Sequence, residues 1–145
     1  MGSLSASAVL QLPVALHGIQ LGRPTDILLD LRSWHALGFV VHCRDESERF
    51  LPYAACQPGE ETIGVGSALM LLEDVSFYEK RGVSFRLLLG GSVEAAAGPS
   101  GVLRDLLLGP GGKALELELE VEPDAEAVRV PAAGAVVAPT RASAA

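Results

Sequence analysis

A chain of 145 residues with 49% hydrophobic and 20% charged residues has a globular composition, and it is long enough for one ordinary domain or two very small ones. Its 11 Lys+Arg against 18 Asp+Glu leave a net charge of −7 with no basic run, which disfavours nucleic acid and anionic membrane surfaces as partners. Two cysteines, Cys43 and Cys56, exclude a disulfide scaffold.

Met1 to Ala8 is small and polar and reads as a loose tail. Met1 to Leu10 lacks a basic n-region, Pro13 interrupts the apolar stretch after it, and no apolar run approaches the ~20 residues needed to cross a bilayer. The expectation is a cytoplasmic protein without a transmembrane segment. Val9–Leu16 reads as a first strand, Gly18 and Gly22 as turn punctuation, and Thr25–Leu31 as a second strand. After the Ser33–Leu37 connection, Gly38–Arg44 is a strand, Asp45-Glu46-Ser47 a tight turn, and Glu48–Tyr53 the returning strand of a hairpin. A short strand follows near Thr62–Val65. The alternation then stops, and Leu72–Arg81 reads as a helix that Gly82 ends, with Lys80 and Arg81 in the last turn.

Beyond Val83–Leu89, Val102–Leu108 is a strand and Gly109-Pro110-Gly111-Gly112 its turn. Lys113–Glu122 alternates strictly, with Leu115, Leu117, Leu119 and Val121 on one face and Glu116, Glu118, Glu120 and Glu122 on the other, which a period of two sorts into core and solvent. Ala127–Val130 pairs back, Ala135–Val137 adds a short strand, and 139–145 reads as a frayed tail.

The second series repeats the first at a constant offset of 79. Gly22 answers Gly101, Asp26 answers Asp105, and Leu51-Pro52 answers Val130-Pro131. Two copies of strand, turn, strand, tight turn, strand predict a mainly β protein: two tandem small antiparallel barrels, 9–72 and 83–138, joined by a short helix in 73–82. Modules this small bury too little surface to stand alone and should lean on each other.

With the offset held at 79, Val40 falls opposite Leu119, and Phe39, Val41 and Cys43 fall opposite Glu118, Glu120 and Glu122. The first copy would then show an apolar face where the second shows an acidic one. Something should cover Phe39 and Val41: the helix, the other repeat, or a second subunit. Trp34 and His35, in the longer connection of the first copy, either anchor a partner or ligand or plug a barrel end.

No chemistry is legible. His42-Cys43 with His35 and Cys56 looks like a metal set, but adjacent strand residues point to opposite faces and cannot share one ion. Gly109-Pro110-Gly111-Gly112-Lys113 lacks the first glycine and the Ser/Thr of a phosphate loop. Asp26 and Asp105 read as turn or strand-end carboxylates accepting backbone N–H groups. No catalytic, metal or cofactor residue is assigned. Gly101→Val should be damaging if Gly101 holds a positive φ.

The pattern Gly22 to Asp26 with Ile27-Leu28-Leu29, then Gly38-Phe39-Val40-Val41, Arg49-Phe50-Leu51-Pro52, and Ile63 leading to Ser67-Ala68-Leu69 resembles the PRC-barrel family. The second copy carries Gly101-Val102-Leu103-Arg104-Asp105 and Val128-Arg129-Val130-Pro131, so the chain is similar to a tandem PRC-barrel protein over most of Leu16–Val137. The resemblance implies small β-barrels like those of the photosynthetic reaction centre H subunit and of ribosome maturation factors. Those barrels hold other proteins, and the family has no shared catalytic residues to carry over. The expectation is a non-enzymatic interaction or assembly module whose partner is another protein or a second copy of this chain. The rivals are a small-molecule binder or enzyme using the seam between the repeats, and a ribosome- or RNA-associated factor, which the charge disfavours.

Overall fold

The structure, a computed structural model, describes residues 3–138. In chain order it comprises β1 (Leu4–Ser5), α1 (Ala6–Val9), β2 (Val14–Leu16), β3 (Ile19–Asp30), β4 (His35–Cys43), β5 (Glu48–Pro52), β6 (Cys56–Pro58), β7 (Ile63–Val65), α2 (Val75–Glu79), β8 (Val83–Ser84), α3 (Phe85–Leu88), β9 (Ser92–Glu94), β10 (Gly101–Leu108), β11 (Ala114–Glu120), β12 (Val128–Pro131) and β13 (Val136–Ala138). Short 3-10 turns occupy Tyr53–Ala55, Ala68–Met70 and Pro110–Gly112. The protein is mainly β, as its alternating sequence requires.

The strands form two sheets, one of which curls into a half-barrel. One has the order β5-β4-β3-β2-β7-β6, antiparallel except for the parallel pair β2–β7. The other has the order β12-β11-β10-β9-β13. Val14 faces Gly22 in one sheet and Val93 faces Gly101 in the other, a shift of 79 in both partners.

The sheets are completed crosswise. β8 precedes the second sheet in the chain but pairs with β3 of the first, Leu29 opposite Val83 and Leu28 opposite Ser84. β1 precedes the first sheet but pairs with β10 of the second, Leu108 opposite Leu4 and Leu107 opposite Ser5. Each half therefore sends an arm, a two-residue strand followed by one turn of helix, to the other half's sheet. Met1–Ala8 is thus no loose tail over its described part: Ser5 caps α1, and Ala6 and Val9 are core residues. The stretch is short and small because it fills a site on the far half. The expected tail 139–145 lies outside the described residues.

One hydrophobic cluster draws on both halves and both arms, with Val9, Ile27, Phe39, Val41, Phe85, Leu88, Leu103, Leu106, Leu117 and Leu119 among its members. Sharing one core resolves the size problem of two modules too small to be stable separately.

The offset between the copies is 79, then 78, then 79. Leu29 pairs with Ala36 and Leu108 with Ala114, so residues 109–113 make a hairpin connection one residue shorter than residues 30–35. The next turn restores the difference, since Phe39 pairs with Leu51 and Leu117 with Val130. A one-residue slip turns every side chain of a strand to the other face. Phe39 and Val41 therefore correspond to Leu117 and Leu119, and all four are 0% exposed in the shared core. The sequence expectation of an unequal pair of faces survives at different residues: Val40 corresponds to Glu118, and Phe50 to Arg129. In the first half that outer face is apolar and lies under α2, where Leu28, Val40, Phe50 and Val75 form a second small cluster. In the second half it is open, and Arg129 bonds Glu118 at 3.1 Å.

Strict alternation in β11 also ends sooner than expected. A register break between Leu107 and Leu108 leaves Leu115 exposed, and Val121 lies beyond the strand end and is likewise exposed.

Candidate functional site

The two aspartates singled out by the repeat do corresponding work. In each long strand a bulge, at Thr25 in β3 and at Arg104 in β10, interrupts the ladder just before the aspartate, and bulges of this kind re-aim a side chain. Asp26 Oδ1 accepts the Ile27 N–H at 2.8 Å and the Arg86 N–H at 3.1 Å, and Oδ2 accepts the Ser84 hydroxyl. Asp105 Oδ1 accepts the Leu106 N–H at 2.8 Å and the Ser7 N–H at 3.1 Å, and Oδ2 accepts the Ser5 hydroxyl. Ser5 and Ser84 are the N-caps of α1 and α3, accepting from Ala8 N–H at 3.2 Å and Leu87 N–H at 3.3 Å. Each carboxylate thus clasps the first turn of the arm that comes from the other half, supplying acceptors to helix N–H groups that would otherwise lack them.

Gly22 and Gly101 begin the strand segments that lead to the clasps. Gly101 does not hold a positive φ. Its requirement is space: a Cβ there would lie 2.5 Å from the Glu120 carbonyl oxygen, and one at Gly22 would lie 2.5 Å from that of His42. Pro52 and Pro131 end β5 and β12 opposite Gly38 and Glu116.

The four residues expected at a partner interface lie within the molecule or at its internal seam. Phe39 and Val41 are core, and Phe39 stacks on Tyr53 at 5.7 Å. Both are fully buried in the shared core, so they offer no surface to an outside partner. Trp34 is buried, its carbonyl accepts the Ala114 N–H at 2.7 Å, and His35 bridges Lys113. This hairpin tip meets the second sheet at Lys113 and Ala114. The connection there is one residue longer than residues 109–113 and places Trp34 at φ +53°.

His42 is exposed and Cys43 buried, on opposite faces as the alternation requires. Among the described residues no three His, Cys, Asp or Glu side chains converge as metal ligands. Both cysteines are free and buried. Burial raises the Cys43 thiol and pushes Cys56 up to about 12, where it is a protonated thiol at neutral pH and a poor nucleophile. The Cys56 thiol donates to the Tyr53 carbonyl at 3.3 Å. Among the described residues no helix is long and apolar enough to cross a membrane.

Of two surface features, the first was not read from the sequence, and the second lies at the seam that the sequence reading named as a rival ligand site. Ile19 and Leu69 are 63% and 84% exposed, and they line one groove of about 520 Å³ over Leu21 and Leu71, rimmed by Arg44, Asp45 and Arg49. The seam itself holds a mostly apolar cleft of about 540 Å³, between Tyr53 and Pro58 on one side and Leu4, Leu108 and Pro110 on the other. The alternation at Gly18–Gly22 carried the one available hint of the first: it places Ile19 and Leu21 on the same face.

No protein-family model matches the chain, and no curated protein matches it.

Proposed function

We propose that this protein is a non-catalytic interaction and assembly module, PRC-barrel-like in each half, that associates with a second copy of itself through the groove beside Ile19 and Leu69. The observation that carries the reading is the exposure of these two large aliphatic side chains in one groove. Contiguous apolar surface rimmed by charge is the usual signature of a protein interface. The rim carries both signs, Arg44 and Arg49 with Asp45, and Asp45 lies 3.8 Å from Arg49, so the rim presents little net charge to repel a second copy across a two-fold axis. The motifs shared with PRC-barrels support the same class of function, and the occupied carboxylates and protonated thiols supply no reaction centre.

Size-exclusion chromatography with light scattering tests the proposal. The chain is expected to run as a dimer at high micromolar concentration, and Ile19→Asp with Leu69→Asp as a monomer whose melting temperature matches that of the dilute parent. A parent chain that stays monomeric at every concentration would refute it. The seam cleft favours a second reading, an apolar small molecule bound between the halves; a strict monomer stabilised by such a compound would establish that reading instead.

A further inference from the structure

The outer face that is open in the second half is covered in the first, and the cover is incomplete. α2 lays Val75 and Tyr78 over Leu28, Val40 and Phe50, with the Tyr78 and Phe50 rings stacked at 4.0 Å and 9°. The helix then stops, and between its C-terminal end and the ends of β3, β4 and β5 lies a cleft of about 520 Å³. Leu37, Phe50, Pro52 and Tyr78 make its apolar wall. Arg32, Lys80 and Arg81 stand around it with Asp30.

The charges on this rim run against the rest of the molecule. Asp30 is already engaged: its Oδ1 accepts the Arg32 N–H at 2.9 Å and lies 3.6 Å from the Arg32 guanidinium, and the backbone bond holds its carboxyl below the usual range. Lys80 and Arg81 form no ion pair among the described residues. The Arg81 guanidinium rests on the Phe77 ring, 3.9 Å from its centroid, which fixes its position without neutralising it. The rim therefore carries two uncompensated positive charges on a chain of net charge −7. They exceed the partial negative charge of a helix C-terminus, at most about half a unit. At the matching outer-face positions of the second half, Glu118 and Arg129 neutralise each other, so the fold itself does not demand this combination of apolar wall and free cations.

We propose that this cleft is a binding site for a small organic anion with a flat apolar body, the body against Leu37 and the Phe50–Tyr78 stack and the anionic group between Arg32, Lys80 and Arg81. Its volume falls in the range of small-molecule sites. The proposal is independent of the Ile19–Leu69 groove, which lies on other residues.

Titration of the full chain with 1-naphthoate, followed by NMR, tests it. Saturable binding is expected, with shifts at Leu37, Phe50 and Tyr78, weakened at least about tenfold by Lys80→Glu with Arg81→Glu and also by Arg32→Glu. All three cations are exposed, and an unchanged melting temperature checks that the variants stay folded. Naphthalenemethanol, which has the body without the charge, and inorganic phosphate, which has the charge without the body, should each bind more weakly than 1-naphthoate. Absence of saturation by ~10 mM, shifts confined to the seam cleft, or indifference to the charge reversals would overturn the assignment.

Discussion

Replacing Asp105 by alanine removes three acceptor contacts at once: the Ser5 hydroxyl, the Ser7 N–H and the Leu106 N–H. Hydrogen bonds to an ionised acceptor contribute about 1.5–3 kcal/mol each, and loss of a helix cap about 1 kcal/mol. The site is half-buried, so water re-solvates part of what is lost, and a total of about 3 kcal/mol is the reasonable expectation. In a chain of this size that lowers Tm by roughly 6–12 °C. Urea melts of the full chain read the same quantity, and Asp26→Ala should match it, since Asp26 makes the corresponding contacts to Ile27, Ser84 and Arg86. The decisive form is a double-mutant cycle. Ser5→Ala should couple to Asp105→Ala by about 1–2 kcal/mol and to Asp26→Ala by nothing measurable, and Ser84→Ala should show the reverse. Coupling of Ser5 to Asp26 would mean that each arm docks on its own half, and the crossed arrangement would be refuted.

Three further outcomes follow from packing and burial. Gly101→Val should destabilise the chain by more than 2 kcal/mol in a chemical melt, because its Cβ would collide with the Glu120 carbonyl; a change under about 0.5 kcal/mol would contradict the close approach. Phe39→Glu should unfold the protein rather than dissociate an oligomer, since it places a charge in the shared core; a folded variant by circular dichroism would contradict that placement. Cys56 has its folded pKa raised to about 12 from 9.0. The unfolded chain therefore releases its proton first, so stability is undiminished below about pH 9 and falls as pH rises above it, by up to about 1.4 kcal/mol per unit. Melts from pH 8 to 10.5 should show that slope in the parent and a shallower one in Cys56→Ala.

The long strands β3, β4, β10 and β11 and the turns at Asp45 and Gly109 were legible from alternation, because period-two burial writes itself directly into sequence; the expected strand Val9–Leu16 is extended only over Val14–Leu16, Val9 ending α1, and Gly22, expected in a turn, lies inside β3. Side-chain orientation in β4 was not legible. The shorter connection of residues 109–113 and the longer turn after β11 cancel, so the landmarks at both ends agree while the strand between them is displaced by one. A constant offset therefore assigns Phe39 and Val41 to the outer face, where the structure has them inside. The arms are hard to read from sequence for a different reason. Leu4-Ser5 corresponds to Val83-Ser84 at the same offset, but the helical turns that follow, Ala6-Ser7-Ala8-Val9 and Phe85-Arg86-Leu87-Leu88, share two core positions and little composition. Extending the offset upstream to Leu4 would have found them. Their exchange between halves would still have been invisible, since each docking site presents the same Asp-centred chemistry.

The central claim, that each half is completed by the other's arm, is tested most directly by nuclear Overhauser contacts across the two short ladders in the intact chain. The crossed arrangement predicts backbone contacts between Ser5 and Leu107 and between Ser84 and Leu28. Contacts of Ser5 with Leu28 and of Ser84 with Leu107 would contradict it.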